Sequence, residues 1–210
     1  MHGLKFDHAL LKETLDEYIT SLENYVAKLE RLDKRIEEFA QGDKYQEKAA
    51  ELGCLLGIKT QAAMTMMSEI SDFSRFRTAS EFASFLGLVP GENSSGEKTQ
   101  RTSITKSGNS QCRKTLIEAA AGICRGKVGH KSKELMRRQA LCNNPIAISY
   151  ADRANERLRS KFYRLNLRNG KPANVAKTAV ARELACFIWG IMTDTYNGKV
   201  PRNDEYALGK

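Results

Sequence analysis

The sequence predicts an all-α protein. An N-terminal coiled-coil helix or helical hairpin precedes a compact helical domain with one long loop, and a short β-hairpin fits near 99–105. Three observations carry this prediction. Large apolar residues recur at alternating steps of three and four over residues 11–39. Most of the remaining chain shows the three- and four-residue apolar spacing of helices. Proline, glycine, serine and asparagine gather in one stretch, 88–103, where that spacing stops.

The first element is a heptad seam of Leu15, Tyr18, Leu22, Tyr25, Leu29, Leu32, Ile36 and Phe39. A helix presents such a set as one narrow stripe, flanked here by charges such as Glu17, Glu23, Lys28, Lys34 and Glu37. The stripe must be covered. Gln41-Gly42-Asp43 breaks the helix, and 44–56 is itself helix-like, so the cover is either that segment in a hairpin or the stripe of a second chain. Two seam tyrosines suit a simple two-stranded zipper poorly, and both arrangements stay open. The composition shifts near residue 50, giving a coiled-coil or helical segment, 1–50, and a helical domain, 51–210.

Helical patterns follow at about 59–70, where Met64, Met66 and Met67 read as core filler, and at 78–86. Leu88 to Ser103 reads as an exposed loop, with Thr99 to Thr105 able to hold a strand pair. Helices resume at 109–126, 130–141, 145–168 and 173–195. The last has Pro172 beside its first turn, and Val180, Leu184, Phe187, Ile188 and Ile191 at helical spacing. The tail from Asn197 is polar.

Composition narrows the function classes. A 41% hydrophobic share over 210 residues can fill a core. The longest apolar run, Cys186 to Met192, is far below the roughly 20 residues of a membrane span. The start, Met-His-Gly-Leu-Lys-Phe-Asp, has no apolar signal region, so a cytoplasmic protein is expected. Five scattered cysteines include no Cys-x-x-Cys pair, and three histidines have no ligand spacing, so reduced thiols and no metal site are expected. The net charge of +9 is uneven: residues 1–50 carry 8 Lys and Arg against 11 Asp and Glu, whereas 98–171 carry 18 against 4. A basic block on a foldable chain points to a polyanion, most simply nucleic acid. A merely solubilising surface is the alternative.

Two groups of residues could act on such a partner. In the loop, Ser94 and Ser95 precede Gly96, with Lys98, Arg101 and Lys106 nearby. Gly108-Asn109 then opens a helix bearing Arg113 and Lys114. A serine beside glycine presents its hydroxyl without steric cover, and cations with a helix start can stabilise charge on a phosphate. The plain alternative is a flexible loop, and no histidine or carboxylate base is fixed by spacing. The second group is Arg153, Arg157, Arg164 and Arg168, whose steps of four, seven and four share one helix face, with Tyr163 among them. It reads as a phosphate-backbone face or as a solvated one. Gly57-Ile58-Lys59-Thr60 looks like the turn of a helix-hairpin-helix, though a plain helix start explains it equally.

A longer pattern is more specific. Phe82-Ala83-Ser84-Phe85-Leu86-Gly87-Leu88-Val89-Pro90 is followed by Ser95-Gly96, Arg101, Ile104-Thr105-Lys106-Ser107-Gly108-Asn109, Arg113 and Leu116. In this order it resembles the C-terminal domain of IS110-class insertion-sequence transposases, relatives of the pilin-gene-inverting recombinases. Leu56-Gly57-Ile58 and Arg182-Glu183-Leu184 look similar too, and the strongest motifs lie in 82–116. The resemblance implies DNA transposition by recombinases that pair a RuvC-like acidic domain, holding Mg²⁺, with a serine that forms a phosphoserine link to DNA. It implies a guide RNA as a further partner. The family serine precedes the glycine, which places it at Ser95, with Ser94 as the alternative. Lys98, Arg101, Lys106, Asn109, Arg113 and Lys114 would lie at DNA or RNA.

This chain departs from the family in showing no acidic βαβ domain before its coiled coil. Mg²⁺ is therefore expected only with that domain, no cofactor within this chain, and little recombination by the chain alone. The expected role is the DNA-binding, serine-bearing part of a transposase that self-associates through its coiled coil. The competing expectation is a non-catalytic nucleic-acid-binding or assembly remnant.

Overall fold

Four helices in this chain begin where a short polar side chain closes the first turn. Thr78 accepts a hydrogen bond from the Glu81 amide, Asn109 from that of Cys112, and Ser132 from that of Leu135. Asn144 accepts from the amides of Ile146 and Ala147, with Pro145 in the first helical position. These caps set the starts of four helices in the computed structural model, which describes residues 9–92 and 101–196. The elements are α1 (Ala9–Ala40), α2 (Gln46–Gly53), α3 (Thr60–Ile70), α4 (Ala79–Phe85), β1 (Pro90–Glu92), β2 (Arg101–Ile104), α5 (Ser110–Ile123), α6 (Lys133–Ala140), α7 (Pro145–Tyr163) and α8 (Ala173–Met192). The all-α expectation holds, with one two-stranded ribbon added.

Helix α8 is the centre. Ala176, Val180, Ala181, Leu184, Ala185, Phe187, Ile188 and Ile191 are all buried, and α2, α4, α5 and α7 pack around them. Tyr150 of α7 meets Phe187 edge-on with ring centroids 5.5 Å apart. Phe82 of α4 stacks tilted against Phe73 and Phe76 at 5.3 and 5.2 Å. Aromatic pairs at these separations add to the burial of their area.

The strand pair differs from the expectation. β2 lies within 99–105, but its antiparallel partner is Pro90–Glu92, in register Pro90 to Ile104 and Glu92 to Arg101 with one irregularity between. The stretch read as exposed loop therefore begins as buried chain and strand. Leu88 is buried, and Val89 accepts from the Thr105 amide. The partner strand thus lies on the far side of the intervening segment rather than within 99–105. The 145–168 helix also changes character: α7 runs to Tyr163, and a π-helical turn, Arg164–Arg168, continues it.

Helix α2 does not return along α1. It packs on α3, α6 and α8, and its buried Glu51 bonds Lys48, Asn144 and Tyr196. The C-terminal half of α1 rests on α3, where Gln61 donates to Asp33. The heptad seam consequently faces outward: Tyr18, Leu22, Tyr25, Leu29, Leu32 and Phe39 are exposed, Tyr25 to 67% and Leu29 to 60%. Among the described residues no helix is long and apolar enough to cross a membrane.

The turn between α2 and α3 is fixed from three sides. The Leu56 amide donates to Asn155 Oδ1 at 2.7 Å, Asn155 Nδ2 donates to Cys54 O at 3.1 Å, and Arg138 donates to Ile58 O. Gly57 has φ +81°, and a Cβ there would lie 2.3 Å from Ala119 O on α5. That backbone contact explains the glycine without a phosphate. Gly57→Ala should cost about 2–4 kcal/mol, from strain plus displaced α5 backbone. A thermal melt checks this. An unchanged midpoint would show that the turn is not held against α5.

Candidate nucleic-acid interface

The first cluster surrounds the start of α5. Gly108, at φ +80°, lets the chain pass so close to Phe85 O that a Cβ would meet it at 1.8 Å. Asn109 then caps α5 through Oδ1, at 2.9 Å from the Cys112 amide, while its Nδ2 donates to Glu69 of α3 at 2.7 Å. Arg113 Nη1 donates to Leu86 O at 3.0 Å and Ser107 O at 3.2 Å. One guanidinium nitrogen thus ties α4 to the approach to α5, and among the described residues no acceptor meets the other donors of that fork. Lys106, at φ +56°, is exposed, and Lys114 is exposed one residue beyond Arg113. The structure therefore brings Lys106, Asn109 and Arg113 together, with Lys114 beside them. Arg101 contributes backbone to β2. Ser94, Ser95 and Lys98 lie outside the described residues, in the segment that β1 and β2 bracket.

The second cluster surrounds a cavity of about 380 Å³ between the end of α7 and α8. It is lined by Val128, Arg157, Ser160, Lys161, Tyr163, Arg164, Arg168 and Glu183. Three of the four arginines expected to share a face meet here. Arg153 instead lines a neighbouring cavity with Asp152, Glu156 and Arg159. Glu183 is 5% exposed, and both Arg157 and Lys161 pair with it, the latter at 2.6 Å. Burial pushes the Glu183 carboxyl up, but Lys161 and Arg157 outweigh burial and hold it below its ordinary value of 4.5. Sequence reasoning did not single out Glu183 or Lys161 for this cavity. The available signal was a carboxylate set within the apolar run of α8.

Other charges of the basic run serve the fold. Arg159 is buried and donates to Ile123 O at 3.1 Å, Lys127 O at 2.7 Å and His130 O. It holds the α5–α6 connection closed. The thiols offer no nucleophile at neutral pH where their shift is resolved: burial pushes Cys54 and Cys112 up to about 12 and Cys124 up to about 11. Among the described residues no three His, Cys, Asp or Glu side chains converge.

Comparison with known proteins follows the same lines. Residues 49–136 match the Transposase IS116/IS110/IS902 family. A protein of Sinorhizobium fredii named as transposase y4qE is 36% identical over 166 residues, covering 79% of this chain and 42% of the relative. A family 20 transposase of Pseudomonas aeruginosa is 27% identical over 187 residues, 88% of this chain and 45% of the relative. The transposase for insertion sequence element IS1533 of Leptospira borgpetersenii is 32% identical over 73 residues, 35% of this chain and 21% of the relative. The chain spans less than half the length of these curated relatives.

The Glu183 pairing makes a pH-dependent prediction. A carboxyl held below its ordinary value stabilises the fold above pH 4.5, and that contribution is lost as pH falls through the folded-state value. Glu183→Gln should therefore lower stability by about 1–3 kcal/mol at neutral pH. The gap to the wild type should close in acid. Denaturant titrations across pH test this, and a gap independent of pH would sink it.

Proposed function

We propose that this chain, which belongs to the IS116/IS110/IS902 transposase family, is the part of a transposase that binds DNA, assembles the complex and supplies the attacking serine. The observation that carries the DNA-binding half is the cavity with four cations and one buried counter-charge. Cations gathered in a concave site, rather than spread over a surface, suit a chain of phosphates. Lys106, Arg113 and Lys114, gathered at the start of α5, support a second phosphate contact beside the serine-bearing segment.

In this reading Ser95 Oγ bonds to a DNA phosphorus while one ester bond to the leaving strand breaks. The serine proton passes to a base, and the leaving oxygen departs as a protonated hydroxyl. Ester bonds are conserved, so no external energy source is needed. Lys98, Arg101, Lys106 and Arg113 offset charge developing on the phosphoryl oxygens. In this reading a divalent ion is expected with an acidic partner domain rather than with this chain. A guide RNA is a second polyanion for the same basic surfaces, and the compartment is the cytoplasm.

Assembly runs through α1. Its seam exposes six large apolar residues along one face, and a second copy of the same seam would bury them. Introducing charge into the seam, Leu22→Glu with Leu29→Glu, should return the chain to a monomer. Light scattering on wild type and variant reads the mass directly, and a wild-type monomer at micromolar concentration would remove the proposal.

For the serine, the test is a donor and target plasmid pair with the acidic domain supplied in trans. Ser95→Ala should abolish covalent protein–DNA adducts and recombinants while leaving salt-sensitive DNA binding intact. The chain alone should give no recombinants. Adducts that persist in Ser95→Ala and vanish in Ser94→Ala would move the nucleophile by one residue. Adducts surviving both changes would leave the non-catalytic binding role.

A further inference from the structure

The cavity between α7 and α8 has features that a flat phosphate-binding face does not require. At about 380 Å³ it is within the range of pockets that hold a small molecule, roughly 300–1,000 Å³. Its cations fall into two pairs. Arg157 and Lys161 are partly buried and anchored on Glu183 at the floor. Arg164 and Arg168 are exposed, and among the described residues neither forms an ion pair.

The backbone beneath the second pair is also specialised. Arg164 and Arg168 are the first and last residues of the π-helical turn. Such turns are rare, cost hydrogen-bond geometry, and occur often at functional sites. This one is secured where it ends: the Asn169 amide donates to Arg164 O, the Lys171 amide to Leu165 O at 2.9 Å, and Asn166 Nδ2 to Lys171 O at 2.9 Å. The rest of the lining differs in character. Val128 is an apolar wall, and Tyr163 is held by its hydroxyl, which donates to Gly126 O at 2.9 Å. Arginines, a fixed aromatic and an aliphatic side chain around one concavity match a phosphate and a base together.

We propose that this cavity receives one unpaired nucleotide of a single-stranded nucleic acid, its phosphate against Arg164 and Arg168 and its base toward Tyr163 and Val128. The inference rests on the nucleic-acid reading above and narrows it. A duplex presents convex phosphate ridges with its bases stacked inside, so it engages rim arginines and leaves the apolar wall unused. An unpaired strand can turn a nucleotide inward and use both walls. The sugar is left open by this lining, and DNA and RNA single strands share the chemistry.

The test is fluorescence anisotropy with the full chain and three labelled probes of equal length: oligothymidylate, oligouridylate and duplex DNA. Arg164→Ala with Arg168→Ala should weaken binding of the single strands about tenfold and of the duplex less than about threefold. Ser160→Glu, which sets a carboxylate on the cavity wall and keeps both arginines, should give the same selective loss. A selective loss confined to one single strand supports the site and identifies its sugar. Equal losses for single strand and duplex, or no loss, overturn the inference. Wild-type chain that binds none of the probes overturns the nucleic-acid reading as well, whereas a variant that matches a binding wild type overturns only this site.

Discussion

Helix α8 imposes the constraint on which the rest depends. Its apolar surface continues well round the helix, so a single neighbour cannot cover it. Helices α2, α4, α5 and α7 enclose it, and their relative positions follow from that enclosure. The same helix carries Glu183 into the low-dielectric region, where an unpaired carboxylate would be very costly. Arg157 and Lys161 on α7 answer that cost. Each is one helical turn from the other and bonds the same carboxylate, which aligns α7 with α8 and aims the next residues, Arg164 and Arg168, at the same opening. A requirement of the core thus becomes the geometry of the cationic cavity.

Arginine has two different uses in this chain, and the sequence does not separate them. Arg159, Arg138 and Arg113 spend donors on backbone carbonyls and join segments distant in sequence. Their planar forks suit that work because several carbonyls can be met at once. Arg153, Arg164 and Arg168 are left outward. In the sequence all belong to one basic block, and of the set at steps of four and seven over 153–168, Arg157, Arg164 and Arg168 line one cavity. What the steps omit is which carbonyls and carboxylates lie opposite. Arg153 leaves the group because Asp152, Glu156 and Arg159 line the cavity it faces, which is information carried by tertiary packing alone.

The same distinction explains what could be read in advance. Helices were legible because their signals are local: Gly108-Asn109 opening one helix, Pro172 beside the first turn of another, and apolar residues every three or four positions. Pairing of β1 with β2 was not, since it joins residues on either side of an intervening segment and the polar composition of 93–100 masked the strand before it. The heptad seam was visible as a pattern, but the choice of α2 to pack on the body depended on the buried Glu51 network with Asn144 and Tyr196. For the site, Lys106, Asn109 and Arg113 were identifiable as neighbours of a helix start. The cavity was not, because Glu183 is far in sequence from the cations it collects.

Charge is distributed in a way that bears on assembly. Residues 1–50 carry three more acids than bases, whereas 98–171 carry a large cationic excess. Two copies of such a body repel at close range, but repulsion beyond about 8–10 Å is largely screened at physiological salt. A helix of 32 residues extends roughly 48 Å. Pairing through α1 in antiparallel fashion would therefore hold two basic bodies about a helix length apart, where their repulsion is negligible. A parallel pairing would bring the bodies side by side, where a polyanion between them would offset their repulsion. The apolar seam supplies attraction in either case. The separation of an acidic, seam-bearing helix from a basic body would let the proposed self-association and nucleic-acid binding use different surfaces, so that a bound strand would not compete with a partner chain.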